Sequence, residues 1–373
     1  MRLRVLAVAS AALVFAGPAA AGPPAVSARA YLVVNPASGE VLAQKRAWAR
    51  VPIASITKLM TVLVALDHAK WEDVVRVQKE AAAVGESTIN LRVGERITVG
   101  DLIKGALIQS ANDAADALAD FVGHGDTGAF IKLMNAKASQ LGLSRTHFAR
   151  PDGLDARGHY SSAFDVTRLA EAAMRIPRIR AVVRERTASI SGGRRLHTWN
   201  DLLGVFGGLF GVKTGHTAAA GWCEVAAVRR NGVTLYTTVL GSPTRSRRNA
   251  DLAALLRWSI SRYRPVWIVG PRRVYLNASV GYGKDPVPLV ASAGFATSVR
   301  VDRPLVERVV APATLPLPVT RGQHVGEVRV YSGKRLVARR PLVAARSVSR
   351  PGLGGRVGFY ARRTLSHIGS WFS

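Results

Sequence analysis

The sequence predicts a mixed α/β (α+β) domain followed by a small all-β domain of sandwich type. Of its 373 residues, 48% are apolar, which is enough for a packed core, and the chain is too long for one such core. Helical and strand patterns are mixed over residues 22–263. From there, short alternating strands with frequent Pro and Gly follow, without a helical pattern. We therefore expect two folded domains, over residues 22–263 and 264–350.

Residues 1–21 have the pattern of a cleaved signal peptide. Arg2 and Arg4 supply a positive start, residues 5–15 form an apolar run, and residues 19–21 are alanines that suit a cleavage site. A retained membrane anchor is the alternative, but the apolar run is short for a helix that spans a bilayer. We expect an exported protein, in the periplasm or on the extracytoplasmic face of the cytoplasmic membrane.

The elements of residues 22–263 can be assigned in order. Residues 30–41 predict a β-hairpin about a turn that contains Pro36 and Gly39. Helices are predicted over residues 55–68, 99–108, 112–121, 163–174 and 251–263, and strands over residues 221–229 and 233–240. Asn231 and Gly232, between the two strands, are a strong signal for a tight hairpin.

Residues 351–373 predict an amphipathic helix at the end of the chain. Large apolar residues recur at helical spacing, namely Val357, Tyr360, Leu365, Ile368, Trp371 and Phe372. Arg356, Arg362 and Arg363 fall largely off that stripe. A basic amphipathic helix with terminal aromatic residues suits the surface of an anionic membrane, so we expect a peripheral membrane anchor. The alternative is a helix docked on the protein's own β domain.

The net charge of +28 indicates an anionic partner, and a solvated face is the alternative for most of the basic residues, because they are dispersed along the chain. Because an exported protein rarely meets nucleic acid, and no nucleic-acid-binding module is recognisable, we expect anionic lipid or cell-wall polymer instead. Cys223 is the single cysteine, so no intrachain disulfide is possible, and its apolar surroundings predict a buried strand residue. No Cys pair or His cluster has the spacing of a zinc site.

Ser55 and Lys58 form an S-x-x-K pattern at the start of the first predicted helix. Residues i and i+3 share one face of a helix, so the lysine amine can reach the serine hydroxyl. Serine needs an adjacent base to become a nucleophile, and lysine is a base only when desolvation or a second cation lowers its pKa. The alternative is an ordinary helix N-cap serine.

Two further motifs accompany the S-x-x-K pattern and argue against its being a chance match. Ser110 offers a hydroxyl for proton relay and Asn112 an amide for a substrate carbonyl, although Ser110 could equally cap the helix that follows. Lys213 supplies a second cation, Thr214 can bind a carboxylate, and Gly215 lets a substrate backbone approach. A surface turn is the alternative for this second motif. We also expect Lys213 to help keep Lys58 neutral.

Together, S-x-x-K, S-x-N and K-T-G resemble the signature of penicillin-binding proteins and serine β-lactamases. The residues around Ser55, Ser110 and Lys213, and the stretch at residues 160–165, are similar to those of low-molecular-mass D-alanyl-D-alanine carboxypeptidases. The resemblance covers nearly the whole chain after residue 30. One departure is Phe210, where members of this family commonly carry Asp.

This resemblance implies a transpeptidase-like catalytic fold and removal of the terminal D-alanine from peptidoglycan pentapeptide stems. Ser55 would attack the carbonyl carbon, Lys58 would accept its proton, and Ser110 would relay a proton to the leaving amine. The substrate-binding residues would be Asn112, Lys213, Thr214, Gly215 and His216, with backbone N–H groups of Ser55 and His216 as the oxyanion hole. β-Lactams would acylate the same serine, and the resemblance implies no metal or organic cofactor.

Three alternatives share these residues or this scaffold. A DD-endopeptidase that cuts crosslinks would use the same site, and the appended β domain and tail favour the carboxypeptidase. A class A β-lactamase needs a Glu that activates the deacylating water, and neither Glu171 nor Glu185 has the sequence that normally follows it. A non-catalytic wall-binding or membrane-binding protein predicts decayed motifs, whereas all three are complete.

Overall fold

The computed structural model describes residues 6–13 and 22–369. The strands are β1 (Leu6–Leu13), β2 (Ala30–Asn35), β3 (Glu40–Lys45), β4 (Val74–Arg76), β5 (Arg96–Thr98), β6 (Thr187–Ile190), β7 (Arg194–His197), β8 (Leu209–Thr217), β9 (Gly221–Arg230), β10 (Val233–Ser242), β11 (Tyr263–Val269), β12 (Val274–Val280), β13 (Val287–Ala291), β14 (Phe295–Arg300), β15 (Leu305–Pro312), β16 (Thr314–Leu315), β17 (His324–Ser332) and β18 (Arg335–Ala344). The helices are α1 (Lys58–His68), α2 (Lys79–Ala82), α3 (Val99–Lys104), α4 (Asn112–Val122), α5 (Thr127–Gln140), α6 (Ala163–Arg175), α7 (Pro177–Val182), α8 (Arg245–Ser261) and α9 (Leu353–Gly369). Gly22–Ser261 form one compact unit, and the described residues outside that range form the other.

The first unit is built on a five-stranded antiparallel sheet with the strand order β3-β2-β10-β9-β8. The predicted hairpin at residues 30–41 is confirmed by the pairing of β2 with β3. Asn231 and Gly232 join β9 to β10 with positive φ at both residues, 52° and 73°, as a type I′ turn requires. Cys223 is fully buried on β9, as expected. The strand β8 lies at one edge of this sheet.

Helix α1 forms the centre of the helical part of this unit. Residues 58–65 are all buried, because this helix is apolar on every face and is surrounded by other elements. It packs against α4, α5 and α6, while α6 and α8 pack against the sheet. Each fully buried Leu or Val side chain contributes about 1.5–3 kcal/mol to the free energy of unfolding, so burial holds α1, and with it Lys58, in the core of this unit.

Two helices differ from their predicted extents. The helix predicted over residues 99–108 divides into α3 and a π-helical turn, Gly105–Gln109, which ends at Ser110 with a φ of 65°. Helix α8 begins at Arg245, six residues before the predicted start at residue 251. The hydroxyl of Thr244 accepts a hydrogen bond from the N–H of Arg247, which caps this start, and the Arg-rich first turn hides the apolar periodicity.

The second unit contains a seven-stranded sheet with the order β1-β15-β17-β18-β13-β12-β16 and a separate β11-β14 pair. Alternate residues of β13, β15 and β17 are buried in the apolar core of the second unit. This two-residue period is typical of a sheet with one covered face. The all-β character predicted from residue 264 onwards is therefore confirmed up to α9. Within the described ranges, no helix is long and apolar enough to cross a membrane.

The beginning of the chain differs from the expectation that it lies apart from any core. Strand β1 pairs antiparallel with β15 from Leu6↔Pro312 to Leu13↔Leu305. An edge strand offers unpaired N–H and C=O groups to any extended segment, and β15 would otherwise be that edge. Cleavage after residue 21 would remove β1 from the mature protein, so the signal peptide stays a prediction. Arg2, Arg4 and the alanines at residues 19–21 lie outside the described residues.

Candidate active site

Ser55 and Lys58 meet at the start of α1. Ser55 lies in a 3-10 turn, Ala54–Thr57, and Lys58 is the first residue of the α-helix. The Lys58 Nζ donates hydrogen bonds to Ser55 Oγ at 2.8 Å, to Asn112 Oδ1 at 2.7 Å and to the carbonyl oxygen of Asp152 at 2.6 Å. The N-cap alternative for Ser55 is wrong, because Ile53 and Thr57 hold the cap positions and neither side chain caps.

Burial lowers the pKa of Lys58 to about 8. The side chain is fully buried, which penalises its charged form. Nearby carboxylates, led by Asp152 and Asp116, oppose this by raising the pKa. A buried amine with a lowered pKa, hydrogen-bonded to a serine hydroxyl, has the geometry of a general base beside a nucleophile.

Ser110 and Asn112 face this pair from the next motif. Ser110 does not cap α4, contrary to the alternative: Ala111 holds that position, and Ser110 has left-handed backbone geometry. Its Oγ accepts a hydrogen bond from Lys213 Nζ at 2.8 Å, which leaves the Ser110 hydroxyl proton free to be donated elsewhere. Asn112 accepts from Lys58, and its Nδ2 donates to the carbonyl oxygen of Gly85 at 3.0 Å, so one amide hydrogen is left for another acceptor.

Lys213 and Thr214 lie within β8, so the surface-turn alternative is wrong. Only 2% of Lys213 is exposed, and its Nζ also donates to the Thr214 carbonyl oxygen at 2.9 Å. Burial and then the charge of Lys58 lower the pKa of Lys213 well below its usual value. Because β8 is an edge strand, its outer N–H and C=O groups can pair with an extended peptide.

Two glycines allow the Ser55 turn to be approached closely. A Cβ on Gly215 would lie 3.0 Å from the backbone nitrogen of Ser55. The missing side chain therefore makes room for the turn that carries Ser55, a role that the sequence did not predict beside the approach of a substrate backbone. A Cβ on Gly153 would lie 2.2 Å from the carbonyl oxygen of Ala54, at a φ of +84°. The approach of the 152–153 segment is what brings the Asp152 carbonyl to Lys58.

A cleft of about 610 Å³ opens over these groups. Its lining comprises Ser55, Glu86, Ser87, Ser110, Asn112, Trp199, Thr214, Gly215, His216, Trp222 and Arg248. Neither Glu171 nor Glu185, the residues considered for a β-lactamase, is in this lining. The His216 ring stacks on Trp222, with 4.1 Å between centroids, so this side chain is held against an aromatic wall.

Several residues of the site were not indicated by any sequence pattern. Asp152 binds Lys58 through its backbone, while its carboxylate pairs with Arg150. Asp113 accepts hydrogen bonds from the N–H groups of Ile89 and Leu91, which holds the segment beside Asn112. Arg248 is 1% exposed and brings a guanidinium to the lining of the cleft. The only local signal was the position of Asp113 next to Asn112.

The arrangement supports acyl transfer at a peptide that ends in an anion. It combines a serine nucleophile, a buried amine as base, a second hydroxyl, an edge strand and cationic groups. No group of three or more His, Cys, Asp or Glu side chains within residues 22–369 is arranged to hold a metal ion. The half-buried Phe210, the residue that departs from the family pattern, has the Arg184 guanidinium 5.1 Å from its ring centroid and is not in the cleft lining.

Comparisons with known proteins agree with this geometry. Residues 18–244 match the family model of D-alanyl-D-alanine carboxypeptidases, and residues 272–350 match that of the penicillin-binding protein 5 C-terminal domain. The D-alanyl-D-alanine carboxypeptidase DacC of Escherichia coli is 34% identical, over 94% of this chain and 92% of its own.

Solved structures extend the likeness to the fold. Penicillin binding protein 5 from Haemophilus influenzae has a TM-score of 0.64 and 26% identity, over 88% of this chain and 100% of its own. Penicillin-binding protein D2 from Listeria monocytogenes, solved in its cefotaxime-bound form, has a TM-score of 0.59 and 31% identity, over 64% of this chain and 99% of its own. The predicted family, transpeptidase-like fold and hydrolase class are thus confirmed. This chain belongs to the D-alanyl-D-alanine carboxypeptidase family of low-molecular-mass penicillin-binding proteins and is a serine-type hydrolase.

Proposed function

We propose that this enzyme removes the terminal D-alanine from peptidoglycan pentapeptide stems through an acyl-enzyme on Ser55. The observation that carries the proposal is the 2.8 Å separation of the buried Lys58 Nζ from Ser55 Oγ, because Ser55 lines the cleft and a neutral Lys58 at that distance can accept its hydroxyl hydrogen. In its neutral form Lys58 takes the hydroxyl proton as Ser55 attacks the D-Ala-D-Ala carbonyl. Backbone N–H groups of Ser55 and His216 stabilise the oxyanion that develops.

The substrate lies along β8 as an additional strand. Thr214, Lys213 and Arg248 bind its terminal carboxylate, and the free amide hydrogen of Asn112 binds a stem carbonyl. Ser110, whose oxygen already accepts from Lys213, relays a proton to the leaving amine of D-alanine: it donates its own proton and is re-protonated by the proton that Lys58 took from Ser55. Water then hydrolyses the acyl-enzyme. β-Lactams acylate Ser55 as substrate mimics.

The test is release of free D-alanine from a pentapeptide that ends in D-Ala-D-Ala. We expect release by the purified enzyme and a loss of at least about 10³-fold in the Ser55→Ala variant, because the covalent route is removed. A Ser55→Ala variant as active as the native enzyme, or a native enzyme that releases no D-alanine, would exclude this function.

We also propose the arrangement of the mature protein. Residues 1–21 are a signal peptide, residues 22–263 the catalytic domain, residues 264–350 the β domain and residues 351–373 a peripheral anchor on an anionic membrane, outside the cytoplasm. Exposed apolar residues on α9 support the anchor: Leu353, Val357 and Tyr360 are 80%, 67% and 56% exposed. The same helix contacts its own domain through Phe359, whose ring centroid lies 5.7 Å from that of Tyr282.

A further inference from the structure

Glu224 is a fully buried carboxylate beneath the cleft. It lies on β9 directly opposite Thr214 of β8. Neither of its carboxylate oxygens accepts a hydrogen bond from the part of the chain that the structure describes. A buried carboxylate without donors is costly unless a charge compensates it. The compensating charge is Arg248 on α8, whose Nε lies 3.1 Å from Glu224 Oε2.

Arg248 makes its other hydrogen bonds through Nε and Nη2, the two nitrogens on one edge of the guanidinium. Its Nε donates to Asn249 Oδ1 at 3.0 Å. Its Nη2 donates to Asp201 Oδ2 at 3.0 Å and to Asn249 Oδ1 at 2.6 Å. The Trp222 ring centroid lies 5.8 Å from the guanidinium carbon, which adds a cation–π contact.

These contacts leave one nitrogen of Arg248 uncommitted. Within residues 22–369, Nη1 has no hydrogen-bond partner, whereas Nε and Nη2 are both occupied. The guanidinium is planar, so fixing Nε and Nη2 also fixes the direction of the Nη1 hydrogens. Because Arg248 lines the cleft together with Ser55 and Thr214, Nη1 is the group that it can offer to a ligand there.

We infer that Glu224 is a positioning residue for substrate binding: its ion pair with Arg248, together with Asp201, aims the free Nη1 at the terminal carboxylate of the substrate. The inference rests on the proposed function, in which Arg248 binds that carboxylate. It also accounts for an otherwise uncompensated buried glutamate. A long, flexible arginine held in advance loses less conformational entropy when the substrate binds.

The charges around Glu224 make this arrangement sensitive to pH. Arg248 from α8, Lys213 from β8 and Asp201 from the segment before β8 all act on it. Burial raises the pKa of Glu224 to about 7, and Arg248 opposes this. Below that pH the carboxyl is neutral and the ion pair is lost; above it, the pair is complete. Preference for a substrate with a free carboxylate therefore rises with pH through neutrality.

The experiment compares a peptide that ends in D-Ala-D-Ala with the same peptide carrying a C-terminal amide. For Glu224→Gln we expect the ratio of kcat/KM, acid over amide, to fall about tenfold, mainly through a higher KM for the acid. The ratio should also lose its rise with pH through neutrality. Glu307→Gln is the matched control: Glu307 is 3% exposed and ion-paired to Arg273 at 3.0 Å, in the other unit. It should leave the ratio unchanged.

Other outcomes separate the inference from the proposed function. An unchanged ratio in Glu224→Gln, or equal losses on both peptides, would refute the positioning role while the native enzyme stays active. A native enzyme inactive on both peptides would overturn the proposed function and the inference with it. If Glu224→Gln does not fold, Asp201→Asn removes the other carboxylate that pairs with Arg248 and should lower the ratio likewise; an unchanged ratio there would count against the inference, in which both carboxylates aim Nη1.

Discussion

At the scale of single residues, the site depends on two buried lysines whose charges interact. The sequence predicts that Lys213 helps to keep Lys58 neutral, but Lys213 is not among the groups that act on the pKa of Lys58 in the structure. In the structure, burial is the main cause of the lowered pKa of Lys58, and the charge of Lys58 in turn lowers the pKa of Lys213. Carboxylates around Lys58, including Asp116 on α4, limit how far its pKa falls. Burial and carboxylates together therefore determine how much of the base is neutral at a given pH.

The first prediction concerns the pH dependence of acylation. A base with a pKa of about 8 is increasingly neutral as pH rises through that value, so the acylation rate should rise with a midpoint near it. Asp116→Asn removes a charge that raises the pKa of Lys58, so the midpoint should move to lower pH, by up to about one unit. Stopped-flow acylation by a chromogenic β-lactam measures the midpoint.

Asp120→Asn is the matched control for this shift. Asp120 lies on the same helix and its pKa is also raised by burial, but it is not among the groups that act on Lys58. Its removal should leave the midpoint unchanged. An upward shift in Asp116→Asn, or equal shifts in both variants, would contradict the account of Lys58.

At the scale of elements, the site forms where three backbone segments approach the 3-10 turn that carries Ser55. Helix α1 supports the turn from below, β8 passes it at Gly215, and the segment at Gly153 passes the Ala54 carbonyl. The approaches of β8 and of the Gly153 segment each need a residue without a Cβ. The backbone carbonyl of Asp152 is thereby brought to Lys58. No side-chain motif predicts this contact, because it is made by a backbone atom.

The second prediction tests the approach of the 152–153 segment. Gly153→Ala places a Cβ 2.2 Å from the Ala54 carbonyl oxygen, so the turn must move and the acylation rate constant should fall at least about tenfold. Gly39→Ala is the control, because Gly39 has a similar φ, +70°, with nothing within 4 Å of the new Cβ. Both should cost about 1–2 kcal/mol of stability from the left-handed backbone. Acylation as slow in Gly39→Ala as in Gly153→Ala would contradict the steric explanation.

At the scale of the whole molecule, the catalytic groups all lie within the unit Gly22–Ser261. The other unit contributes the all-β core and α9, with exposed apolar residues on a basic chain of net charge +28. Chemistry and the proposed surface attachment thus belong to separate parts of the chain. Attachment should therefore be removable without loss of catalysis.

The third prediction concerns that separation. Deleting residues 351–373 should release the protein from vesicles that contain anionic lipid, while D-alanine release stays within about twofold of the native rate. A full-length variant with Val357→Ser and Tyr360→Ser tests the exposed apolar side chains without shortening the chain, and it should bind vesicles more weakly. Sedimentation shows both. A deletion variant that still sediments with vesicles would refute the anchor.

Local sequence patterns by themselves determined the site motifs, one tight hairpin and the division of this protein into two domains. The three motifs, the Asn231–Gly232 hairpin and the change near residue 264 are short-range signals, because backbone conformation and apolar period follow from neighbouring residues. The tertiary structure decided what depends on distant partners. Asp152 reaches Lys58 across 94 positions of sequence, and Arg248 reaches Asp201 across 47. The ion pair of the buried Glu224 with Arg248 could not be predicted from local patterns, because it forms only where β9 packs against α8 and electrostatic contact depends on proximity in space.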